Sequence, residues 1–362
     1  DPTDLAEPFA LLERVHARTL RELLSASAGS SASVASSSLS AVPQRLAPGD
    51  LLVEFLLGEE ESSLLVVDAR SASYYSLPSR RKIEERIERF RAALLRPLNS
   101  IDARLDPEAD FRRFAEPGHG LFRDLLGPVA DRLVEVRRLI VVPDRQLHLL
   151  PFEALLRRFP EPGRPLDFLG ASHAIEYLPA AALLASPVDR GNGQVLVVTV
   201  SSGRADLDLA PLRHANAEAR AVATAYPSSQ VESLEGEEAR LPRVLAAVSR
   251  PLETLHITAH GLLDPGEGAR VVLHGSAGEE SWLDIDSLAG LPSSPRLVIL
   301  SACETARGEL VGGEGILGLV RGFTLAGSRQ VVASLWVVDD ARTATFMGRM
   351  HRELSGGARP AG

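Results

Sequence analysis

A chain of 362 residues with 45% hydrophobic and 24% charged side chains is long enough for two cores and has a globular rather than a disordered composition. Its net charge of −9 excludes the basic surface of a general nucleic-acid binder. No apolar run approaches the roughly 18 residues of a membrane span, so the expected location is cytoplasmic with neither nucleic acid nor membrane as a direct partner. The single cysteine, Cys303, excludes an internal disulfide or a cysteine-rich zinc site and leaves reactivity as its interest. The chain opens on Asp1 rather than Met, as a piece of a longer polypeptide would.

In chain order, Leu11–Leu24 (LLERVHARTLRELL) spaces its apolar residues as an amphipathic helix, and SASAGSSASVASSSLSAVP is a linker by composition. The end of that linker, LSAVPQRLAPGD, has apolar spacing that could dock on a core. LLVEFLL (51–57) and SLLVVD (63–68) predict a β-hairpin, and RRKIEERIERFRAALL (80–95) predicts a helix with Ile83, Ile87, Phe90 and Leu94 on one face. A helix over 121–133, a buried strand over 138–143 and a helix beginning after Pro151 complete a first α/β half, in which Asp144 and His148 are read as structural. The Pro- and Gly-rich SPVDRGNGQ (186–194) marks the domain boundary.

The second half predicts strands over 195–200, 231–234, 254–259, 296–300 and 330–336. They alternate with helices over 212–225, 239–248, 315–326 and 341–354, and an excursion hairpin is formed by 271–273 and 282–285. Strand–helix alternation of this kind implies a mostly parallel sheet.

The stretch SACETARGELVGGEGILGL (301–319) carries two chemical signals. Gly313-x-Gly315-x-x-Gly318 has the spacing of a dinucleotide fingerprint, but that loop must follow its strand directly, and here the strand ends near Leu300, so no cofactor is expected. Cys303 instead lies just past a hydrophobic strand, where open α/β sheets place ligands, and the preceding strand ends in His260-Gly261. A thiol and an imidazole at one sheet edge suffice for nucleophilic catalysis, while the amides of Gly261 and Cys303 could form an oxyanion hole. His256, inside its strand, reads as a core histidine, and His274 sits in the excursion hairpin.

TLHITAHGLLD (254–264) and LVILSACETARGELVGGEGILGLVRGFTLAGSRQVVASLWVVDD (297–340) closely resemble the CHAT domain, a caspase- and separase-like cysteine peptidase module often found behind tetratricopeptide repeats. The resemblance implies an α/β fold with a caspase-like, mostly parallel sheet flanked by helices. A degenerate caspase-like α/β half and an N-terminal helical segment would precede it. The implied division is 1–45 as the end of a helical array with its connector, 46–188 as the pseudo-protease half and 189–362 as the catalytic domain. His260 and Cys303 become the catalytic dyad of an endopeptidase acting on protein or peptide substrates without a cofactor, restrained until a regulatory partner or upstream region releases it. Ser301, Ser334, Trp336 and Asp339 are candidate substrate-binding residues. An acidic pocket wall at Asp339 would favour a basic residue before the cut, whereas VDDARTA equally suits a helix cap. Relatives of this kind continue past a helix like 341–354 into another helix and a Tyr-Trp-containing strand, so the C-terminal end is expected to be incomplete. The alternative function is a catalytically silent caspase-like scaffold.

Overall fold

A computed structural model describes residues 42–96, 107–161, 164–181, 184, 192–264, 268–276, 279, 281–289, 291, 293–302, 314–336 and 338–357. The predicted helix over 11–24, most of the Ser-rich connector and Cys303 lie outside the described residues. Those described fall into two compact units, separated at 187–188.

The first unit is built on a five-stranded sheet. β1 (Asp50–Leu56), β2 (Ser62–Val67) and β3 (Ala72–Leu77) form an antiparallel meander. β4 (Arg138–Val142) and β5 (Ala174–Tyr177) add in parallel beyond β1, giving the order β3-β2-β1-β4-β5. Alternate side chains of a strand face opposite ways. Leu51, Val53 and Phe55 accordingly join one core with Ile83, Ile87 and Phe90 of α1 (Arg80–Leu94) and Leu121 and Leu125 of α2 (Pro107–Leu125). Leu52 faces the other way, against Val42 and Leu46, so the end of the connector does dock.

Two local expectations need correction here. The helix expected over 121–133 is the end of α2, which stops at Leu125 and gives way to short 3-10 turns at Gly127–Val129 and Arg132–Glu135. Pro128 explains the stop, since it has no N–H to donate and its ring disfavours helical backbone in the residue before it. After Pro151 there is only a 3-10 turn, Phe152–Ala154, because the chain is drawn into pairing with 167–169 through Leu169 N–H to Leu155 O and Arg157 N–H to Asp167 O. Strands β3 and β5 went unanticipated; both lie at the sheet edges, and all four residues of β5 are only half-buried. α1 and α2 pack closely at Gly118, where a Cβ would come within 2.7 Å of the Phe90 ring.

The second unit contains a five-stranded, all-parallel sheet flanked by helices. Its strands are β6 (Val195–Thr199), β7 (Val231–Glu235), β8 (Thr254–Ala259), β12 (Leu297–Ala302) and β13 (Gln330–Ala333), in the order β13-β12-β8-β6-β7. β6, β8 and β12 are buried along their whole length, as strands covered on both faces must be. One face packs Leu196, Ile257 and Leu300 against α4 (Leu241–Val248), α5 (Ile285–Ala289) and α6 (Glu314–Leu325). The other packs Val195 and Val197 against α3 (Ala215–Ala223), and Leu297 and Ile299 against α7 (Asp340–Ser355).

A separate antiparallel sheet, β9 (Gly261–Asp264), β10 (Gly268–Val272) and β11 (Trp282–Leu283), leaves the end of β8. The predicted excursion hairpin is its β10–β11 pair, and β9 extends it by a third strand. β13 ends at Ala333 rather than at Trp336 because its pairing with β12 stops at Leu300 opposite Ala333.

Candidate functional site

The central pair of the parallel sheet fixes the geometry. β8 and β12 run in register from Thr254 opposite Leu297 to Ala259 opposite Ala302. His260 is the next residue of the first strand, at the carboxyl edge where open α/β sheets bind ligands. Cys303 is next after Ala302 in the chain and lies outside the described residues.

His260 is 1% exposed, and its Nε2 lies 2.7 Å from the carbonyl oxygen of Ala210. A carbonyl can only accept, so Nε2 carries the proton of that bond, and Nδ1 is the basic nitrogen of the neutral ring. Ala210 belongs to the loop between β6 and α3, 50 residues away in sequence. Sequence reading missed it, since a backbone carbonyl carries no side-chain signature.

Gly261 opens β9 opposite Val271. Val272 N–H donates to the His260 carbonyl, which makes Gly261 and Val271 a non-hydrogen-bonded pair in the antiparallel ladder. The Gly261 amide therefore points away from β10, the orientation that a donor to an external oxygen needs.

The remaining candidates are spread along the same edge. Ser301 is 3% exposed, opposite Thr258, and its hydroxyl has no hydrogen-bond partner among the described residues. Ser334 and Trp336 are half-buried just beyond β13. Asp339 is exposed and caps α7, its Oδ1 accepting from Arg342 N–H at 2.9 Å. The neighbouring Asp340 accepts from His214 N–H at 2.8 Å and so ties the start of α3 to the start of α7. His274 is half-buried; its N–H donates to Ala239 O and its own carbonyl accepts from Ser281.

His256 is a core histidine in a buried polar chain. Its Nε2 lies 2.9 Å from Glu218 Oε1, which also accepts from Thr258 at 2.8 Å. Its Nδ1 lies 3.1 Å from His351 Nε2, and His351 Nδ1 lies 2.9 Å from the Tyr226 hydroxyl. Burial, and then the charge of Glu253, raise the Tyr226 pKa to about 12, so that hydroxyl keeps its proton and donates. Burial, and then His256, push His351 down to about 3, so its imidazole is neutral and can accept at one nitrogen while donating at the other. This chain bonds α3, β8 and α7 together beneath the edge.

The His351 shift sets a pH dependence. Between the ordinary value of 6.5 and about 3 the unfolded chain holds a proton that the folded one does not, so stability is full above that window and falls as pH drops through it. The expected slope approaches about 1.4 kcal/mol per pH unit. Unfolding free energies measured at pH 7.5 and 4.5 should show this loss, and His351→Leu should flatten the slope even if it lowers stability at both values.

Among the described residues, no three His, Cys, Asp or Glu side chains group as metal ligands. Of the glycine fingerprint, Gly313 lies outside the described residues, while Gly315 and Gly318 fall within α6. The close approach in α6 comes later, at Gly322, where a Cβ would meet Leu288 at 3.1 Å; at Gly318 it would meet nothing within 4 Å.

An all-parallel sheet with helices on both faces and a histidine at its carboxyl edge places the second unit with caspase-like α/β folds. The sequence model of the CHAT domain matches residues 115–362, and the chain belongs to that family, which is related to caspase-like peptidases. A comparison with curated proteins finds no match. No helix among the described residues is long and apolar enough to cross a membrane.

Proposed function

We propose that the protein is a cysteine endopeptidase. Cys303 attacks the scissile carbonyl as its Sγ proton passes to His260 Nδ1. The amides of Gly261 and Cys303 hold the oxyanion, and collapse expels the amine with the proton that His260 returns, leaving a thioester that water hydrolyses. The observation that carries this reading is the register of β8 and β12. Ala259 stands opposite Ala302, with His260 next on one strand and Cys303 next in sequence after the other. The Ala210 contact supports it too, because it commits Nε2 and keeps Nδ1 as the base.

Its substrates are proteins or peptides, and a partner or upstream region controls it in the cytoplasm. The test is reaction with a peptidyl acyloxymethyl ketone. Cys303 should be labelled at least about 10²-fold faster than a cysteine in an unfolded peptide, and His260→Ala should remove the advantage. Labelling no faster than the peptide, and unchanged by His260→Ala, would leave a silent scaffold.

Specificity centres on Asp339, with Ser301, Ser334 and Trp336 as further candidate contacts. Asp339→Ser keeps an oxygen for the α7 cap while removing the charge, so melting should barely change. A peptide library should then lose its preference for a basic residue before the cut; an unchanged preference assigns Asp339 to capping alone.

A further inference from the structure

The loop from Val200 to His214 is clasped at three points. Leu212 N–H donates to Ser201 O. Arg204 and Leu209 exchange both backbone hydrogen bonds, Arg204 N–H to Leu209 O at 3.0 Å and Leu209 N–H to Arg204 O at 2.9 Å. Gly203 lies so close to the returning strand of the loop that a Cβ there would come within 2.5 Å of Leu209 O and 2.9 Å of Pro211 N. Ala210, whose carbonyl meets His260, immediately follows this clasp.

One side chain fastens the clasp to the β9–β11 sheet. Arg204 is 7% exposed, and its guanidinium binds Asp206 through two parallel bonds, Nε to Oδ1 at 2.9 Å and Nη2 to Oδ2 at 2.7 Å. Nη2 also donates to the carbonyl of Glu279, and the guanidinium lies 6.0 Å from the centre of the Trp282 ring, which Arg270 approaches at 5.4 Å. Gly275 leaves the room: a Cβ there would stand 3.4 Å from Nη1. A planar fork can bind a carboxylate bidentately and face an aromatic ring at once, which a lysine ammonium cannot reproduce.

We propose that Arg204 is a positioning residue for His260. By pinning the clasped loop on β11 and the connection that leads into it, it holds the Ala210 carbonyl 2.7 Å from Nε2 and thereby fixes the imidazole in its Nε2–H tautomer. The path is short. The guanidinium is held by the Glu279 carbonyl and the Trp282 ring, the Arg204 backbone is bonded to Leu209, and Ala210 is the next residue. The catalytic consequence rests on the peptidase reading; the effect on the imidazole does not.

The experiment has two readouts on wild type, Arg204→Ala, Arg204→Lys and Asp206→Asn. The first is a long-range proton–nitrogen NMR correlation of histidine-labelled protein, with the His260 signals assigned by His260→Gln. Wild type should show Nε2–H, and both Arg204 variants a mixture of tautomers, with a smaller change for Asp206→Asn. The second is cleavage kinetics, in which kcat should fall about 10²-fold in Arg204→Ala with KM nearly unchanged, and the pH profile should shift. A general loss of stability would move neither the tautomer nor the pH profile, and Asp206→Asn keeps the test alive should the Arg204 variants not fold. A folded Arg204→Lys with the wild-type tautomer and pH profile overturns the proposal. If the tautomer moves while wild type neither cleaves peptides nor reacts at Cys303, the positioning role stands and the peptidase reading falls.

Discussion

Cys303→Ala is expected to abolish peptide cleavage, lowering kcat by at least about 10⁴-fold, with His260→Ala nearly as severe and the double variant scarcely worse than either. Non-additivity is the informative part. A thiol and its base act as one unit, so removing either leaves only the binding and oxyanion contributions, and the second removal finds little left to lose. The site makes a further distinction. His260 Nε2 is committed to Ala210, so His260→Gln, whose amide nitrogen can donate to that carbonyl, should keep the local fold while losing the base. Steady-state kinetics on a cleaved reporter peptide, with thermal melting to confirm folding, separates these effects. A Cys303→Ala protein that cleaves at the wild-type rate would remove Cys303 from the chemistry.

Glu218→Ala should be the most damaging single change to the stability of the second unit, about 3–5 kcal/mol. The carboxyl is 1% exposed on α3 and accepts from both His256, which is fully buried, and Thr258. Truncation leaves those two buried groups without their acceptor, opens space beneath β8, and exposes the rest of the chain to His351 and Tyr226 to rearrangement. Surface pairs offer a control. Arg250 with Glu232 is about half exposed on the arginine side, and exposed ion pairs contribute little, so Arg250→Ala should cost under about 1 kcal/mol. Denaturant unfolding of the two variants gives the comparison, and a Glu218→Ala protein within 1 kcal/mol of wild type would contradict the network's role.

Much of the parallel sheet was legible because fully buried strands announce themselves. VLVVT, TLHITA and LVILSA are near-continuous β-forming runs, and their ends marked the edge that carries His260. The edge strands β3, β5 and β9 were not legible in the same way. Half-buried strands carry weaker patterns, and β9 is made by pairing with β10 rather than by a strong local preference. Helix ends failed where a proline intervened, as at Pro128, or where a distant segment captured the backbone, as after Pro151.

For the candidate site, the chain by itself determined that a histidine stands at the sheet edge, because the end of a buried strand is a local property of the sequence. Only the tertiary structure decided what surrounds them. The Ala210 carbonyl that sets the His260 tautomer comes from 50 residues away, and His351 reaches His256 across 95 residues. Neither contact has a sequence signal: one uses a backbone atom that every residue possesses, and the other joins a helix and a strand whose only shared property is the space they enclose.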